Sequence, residues 1–122
     1  MAEQVPPEVQ SLAVRYNQLR ELLTSLLQQK MAVEAEMEEL NRLVDVLENK
    51  TTDEYVYEAI GGVLARRKKE EVLSESKEKI EILQARLEKL KKQEEKVNEE
   101  LKETEAKLKA MLAKNYQGLA KQ

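Results

Sequence analysis

From Val9 onward, apolar residues recur at alternating steps of three and four: Val9, Leu12, Tyr16, Leu19, Leu23, Leu26, Val33, Met37, Leu40, Val44 and Leu47, with Lys30 the one charged residue in phase. A seam sustained over so many heptads predicts a helix that packs along one narrow stripe against a partner helix. Pro6 and Pro7 lie just upstream, where proline is tolerated in a first helical turn, and Thr51, Thr52 and Asp53 make a stop. The first helix is therefore expected from about residue 8 to about residue 49, roughly 60 Å at 1.5 Å per residue.

The same rhythm returns at Leu73, Ser76, Ile80, Leu83, Leu87, Leu90, Glu94, Val97, Leu101, Thr104, Leu108, Met111 and Asn115. Its polar members make it looser than the first, but the phase never breaks. A second helix from about 70 to about 117 follows, ending near Gly118, with Glu70 and Glu71 at the positive end of its dipole. Two helices of similar length joined by a short segment fold back as an antiparallel two-helix coiled coil. Folding about Gly61 and Gly62 sets Lys30 and Glu94 in the same or adjacent layers. They either pair there and disfavour slipped registers, or snorkel separately to water.

The helical period breaks between the two seams, in the stretch EYVYEAIGGVLARRK. Tyr55, Val56, Tyr57, Ile60, Val63 and Leu64 are aromatic, β-branched or apolar, and Gly61 and Gly62 permit the positive φ angles of a tight hairpin turn. Strands at about 54–60 and 63–68 pair Ile60 with Val63, Glu58 with Ala65 and Val56 with Arg67 on one face. The other face carries Ala59 with Leu64, Tyr57 with Arg66, and Tyr55 with Lys68. Both faces are substantially apolar, and an isolated two-stranded hairpin is marginal in water. The hairpin is expected to find further strands in other subunits and to join an intersubunit β-barrel that removes its edges. The fold class is thus dominated by helix, in a single domain over residues 1–122.

Composition narrows the chemistry. The 122 residues are 37% charged and 3% aromatic, with no Cys, His, Trp or Phe. Disulfides and thiol chemistry are excluded, and the usual zinc ligands are missing. No catalytic group, metal site or cofactor is expected: the chain has no glycine-rich phosphate loop, and its carboxylates alternate with lysines on exposed helical faces. The net charge of −3 offers no general attraction for nucleic acid. The basic run at residues 66–69 is short, is followed at once by Glu70 and Glu71, and reads as a solvated strand end. Neither a secretory leader nor a membrane span is expected, and a soluble, cytoplasmic protein fits.

A helix of about 40 residues, then VYEAIGGVLARRKKEEV, then a second helix opening LSESKEKIEIL closely resembles the β-type subunits of the prefoldin family in their archaeal form. The resemblance covers almost the whole chain. Its most specific part is the run from Val56 to Leu64, and one hairpin rather than two between the helices matches the β type and not the α type. The resemblance implies a hexamer of two α-type and four β-type subunits, whose hairpins build a double β-barrel carrying six coiled-coil tentacles. It implies an ATP-independent chaperone that captures unfolded client proteins and passes them to a group II chaperonin.

On that arrangement the client-binding tip lies at the chain ends. Val5, Val9, Leu12, Val14, Met111, Leu112, Tyr116 and Leu119 are its apolar residues. Val9, Leu12 and Met111 are also seam positions that pack against the opposite helix, whereas Val5, Val14, Leu112, Tyr116 and Leu119 lie off the seam or beyond it. Flexible, polarizable methionine suits promiscuous contact. The competing reading is a structural coiled-coil adaptor or scaffold, which leaves the β segment unexplained.

Overall fold

The computed structural model describes the backbone of residues 5–120 and the side chains of residues 5–114. The order of elements is helix α1 (Pro7–Asp45), a π-helical turn (Val46–Lys50), strand β1 (Tyr55–Ile60), strand β2 (Val63–Lys68) and helix α2 (Lys69–Ala120). Two long helices with an antiparallel hairpin between them are the architecture expected from the periodicity.

Helix α1 starts at Pro7, whose missing N–H is one that a first turn leaves unbonded anyway. The Gln10 N–H reaches back to the Pro6 carbonyl at 3.1 Å, and Glu8 stands at the positive end of the dipole. The last turn differs from the expected α-helical ending: it widens into the π form, with Leu47 still buried and Thr51 extended at φ −139° and ψ 142°. Asn49 Nδ2 donates to Asp45 Oδ1 at 2.8 Å across this turn and holds the Asp45 carboxyl below its ordinary range. Helix α2 runs through Gly118, where it was expected to stop, and reaches Ala120. A helical glycine costs only about 1 kcal/mol, which a long helix absorbs.

The chain divides into two compact units. One comprises residues 1–29 and 90–122. Here Val9, Leu19 and Leu26 of α1, with Leu90, Val97 and Thr104 of α2, form the buried layer, and Leu19 is the most enclosed side chain at 1% exposure. The other unit, residues 30–89, buries Val33, Leu47 and Ser76 and holds the hairpin. The Ser76 hydroxyl donates to the Val72 carbonyl at 2.7 Å, so its burial leaves no donor unsatisfied. Every seam position named from the sequence and described here is buried or half-buried, Lys30 and Glu94 included, and each of those two is engaged in an interaction.

Candidate assembly hairpin and client-binding surface

The turn of the hairpin is set by backbone conformation. Gly61 and Gly62 have φ of 53° and 81°, and an added Cβ at either would meet nothing within 4 Å. Glycine is required there by the left-handed backbone and not by crowding. The pairs are Ile60 with Val63, Ala59 with Leu64, Glu58 with Ala65, Tyr57 with Arg66, Val56 with Arg67 and Tyr55 with Lys68. The Lys69 N–H donates to the Glu54 carbonyl at 2.9 Å, one rung beyond the strands. Because bonded and non-bonded pairs alternate along an antiparallel ladder, that rung fixes which residues bond inward. The backbone groups of Tyr55, Tyr57 and Ala59 on β1, and of Leu64, Arg66 and Lys68 on β2, point to the two outer edges. The sheet has two strands, so both edges are open among the described residues.

The two faces are unequal. One turns Val56, Ala65 and Arg67 partly inward, leaving Ile60 and Val63 exposed at the turn. The other presents Tyr55, Tyr57, Ala59 and Leu64, with Tyr57 67% and Leu64 70% exposed. The Arg66 guanidinium lies 4.3 Å from the Tyr55 ring centroid on that open face. All of the candidate assembly residues (Tyr55, Val56, Tyr57, Ile60, Gly61, Gly62, Val63 and Leu64) therefore share one hairpin, and of these only Val56 is half-covered by the chain itself.

The basic run is not the uniformly solvated strand end expected from the sequence. Arg67, 26% exposed, donates Nη1 and Nη2 to the two carboxylate oxygens of Glu75 at 2.8 and 2.7 Å, and Nη1 also reaches Glu58 Oε2 at 3.2 Å. Glu71 lies 3.9 Å away. These hydrogen bonds raise the Arg67 guanidinium further above its already high range and hold the Glu75 carboxyl below its ordinary one.

The candidate client residues separate by seam position. Val14 and Leu112 are exposed, at 55% and 52%, and Val5 is exposed ahead of α1, where its carbonyl accepts from Gln10 Nε2 at 2.9 Å. Val9 is buried, and Leu12 and Met111 are half-buried in the seam. Tyr116 and Leu119 lie outside the residues whose side chains are described. Leu22, Met31 and Ile82 are further exposed apolar side chains that the sequence reading passed over. Their signal was present, since each is a large apolar residue out of phase with its seam. Among the described residues no group of three or more acidic side chains is placed to hold a metal ion, and no helix is long and apolar enough to cross a membrane.

A family model described as prefoldin subunit matches residues 10–115. The chain is 34% identical over 116 residues to prefoldin subunit beta of Saccharolobus islandicus, covering 95% of this chain and 92% of the relative. It is 34% identical over 110 residues to the Pyrococcus furiosus prefoldin subunit beta, covering 90% and 94%. The crystal structure of the prefoldin beta subunit from Thermococcus strain KS-1 superposes with a TM-score of 0.79 at 34% identity, covering 91% of this chain and 97% of that one.

Proposed function

The chain belongs to the prefoldin family as a chaperone subunit of the β type, and from that premise we propose that it captures unfolded polypeptides without ATP and delivers them to a group II chaperonin. The observation that carries the assembly side of this reading is the hairpin, whose open face exposes Tyr57 and Leu64, whose turn exposes Ile60 and Val63, and whose two edges are open. A two-stranded sheet so exposed needs partner strands. Hairpins of α-type subunits supply them, in a hexamer of two α-type and four β-type chains closed into β-barrels. The cytoplasm is the compartment of this activity.

Val5, Val14 and Leu112 are the client contacts within the described residues, and Tyr116 and Leu119 join them. Unfolded chains offer apolar patches of no fixed sequence, and small apolar side chains repeated on several arms around one client bind by avidity. Val9, Leu12 and Met111 hold the two helices together beneath them.

The test is to combine the purified chain with an α-type subunit, determine the mass of the complex by native mass spectrometry, and measure suppression of aggregation of a denatured client without nucleotide. Four copies of this 14.1 kDa chain with two α-type partners are expected. Replacing Val14 and Leu112 with serine should leave that mass unchanged and weaken aggregation suppression several-fold. A complex built through the helices alone, unaffected by charged residues at Ile60 and Leu64, would return the chain to the scaffold reading.

A further inference from the structure

The hairpin is joined to the helices unequally. Residues 51–54 link it to the end of the π turn without regular structure, whereas β2 passes into α2 with no residue between Lys68 and Lys69. Val56 and Ala65 are the only half-buried apolar side chains of the sheet, and a two-stranded ribbon with so little apolar cover does not hold a fixed direction by itself. Against this background one side chain on β2 joins its own strand to two other elements. The Arg67 guanidinium, on β2, bonds Glu58 on β1 and takes both oxygens of Glu75 on α2, with Glu71 of the first turn of α2 3.9 Å away.

We infer that Arg67 is a positioning residue that locks the hairpin onto the first two turns of α2, so that the open face of Tyr55, Tyr57, Ala59 and Leu64 is presented in one direction before any partner arrives. This rests on the hairpin being the assembly element. The planar fork of arginine matches a carboxylate in two parallel hydrogen bonds and therefore fixes an angle as well as a distance, which a lysine ammonium does not. The third carboxylate, Glu58, ties the far strand to the same point, so the sheet cannot pivot about β2 alone. A surface oriented in the free subunit loses less conformational freedom on association than one that must be ordered by its partner.

The chain has no cysteine, so Ala59→Cys and Glu81→Cys place two spin labels uniquely, one on the open face of the hairpin and one on α2. Distance distributions are measured by pulsed electron resonance on the full chain, and affinity for an α-type subunit is measured in parallel on the unlabelled, cysteine-free chain, because Ala59 lies on the open face. With Arg67 in place a narrow distribution is expected, broadening at high salt. R67Q, and independently E75Q from the helix side, should broaden it and weaken association about tenfold, with helical ellipticity and its melting midpoint unchanged and with R67K recovering only part of the loss. A narrow distribution in both R67Q and E75Q overturns the inference, as does broadening with undiminished association. Failure of the unsubstituted chain to associate at all counts against the assembly reading instead, and the distance distributions still decide whether the clamp exists.

Discussion

Arg15 and Glu100, 85 residues apart in the chain, meet with Nη2 2.8 Å from Oε2. Both belong to the unit of residues 1–29 and 90–122, where the contact marks how α1 and α2 are registered. A slip of one heptad would move the two side chains about 10 Å apart at 1.5 Å per residue. The apolar layers alone are less particular, since one leucine seam accepts another in several alignments.

Both side chains are about half exposed to water, so the pair contributes to register more than to stability. Urea denaturation of R15A, E100A and the double variant should give a coupling of about 0.2–1 kcal/mol, falling toward zero near 1 M salt. A coupling independent of salt would show that the contact acts through packing.

At the turn, Gly61 and Gly62 should respond to substitution through backbone conformation alone, because an added Cβ meets nothing at either position. Gly62→Ala is expected to destabilise the hairpin by about 1–2 kcal/mol, and Gly62→Asn by less, since asparagine tolerates the left-handed region. Hydrogen exchange at the Val63 amide, within the rung to Ile60, reads this directly. Equal protection in Gly62→Ala and the unsubstituted chain would place the turn's determinant elsewhere.

The Arg67 contact to Glu75 also sets an acid limit. The Glu75 carboxyl titrates below its ordinary value of 4.5 in the folded chain because Arg67 bonds its charged form, with Lys79 adding a smaller attraction. A lowered folded value means the stabilisation is fully present above the ordinary carboxylate range and is lost as pH falls through the folded value. Hairpin order, followed by amide exchange or by label distances, should therefore be constant from neutral pH down to the ordinary glutamate range and collapse only at more acid pH. E75Q should abolish that dependence. Loss of order near neutral pH would contradict the assignment.

Much of this protein is written in local periods. The seams are legible down to their polar members: Ser76 and Thr104 stand in phase and are buried, while Lys30 and Glu94 stand in phase and are half-buried. A helix turns by a fixed angle per residue, so phase alone assigns a face. The hairpin register is legible for a similar reason, because two adjacent glycines with positive φ leave one two-residue loop and every pair then follows. The separation of Val14 and Leu112 from Val9 and Met111 follows from the same phase.

What the periods did not contain is how unlike elements meet. The wide last turn from Val46 to Lys50 keeps Leu47 in the seam, so an α and a π ending leave the same apolar pattern. The alternation of β1 and β2 makes both faces equally apolar on paper, yet Val56 and Ala65 are half-covered while Tyr57 and Leu64 stand open. Arg67 reads from the sequence as one more solvated base. Its partners lie nine residues before it and eight after, across a turn and across a strand-to-helix junction. Contacts of that kind depend on the direction in which β2 enters α2, a tertiary quantity that no repeat of two or of three and a half residues encodes.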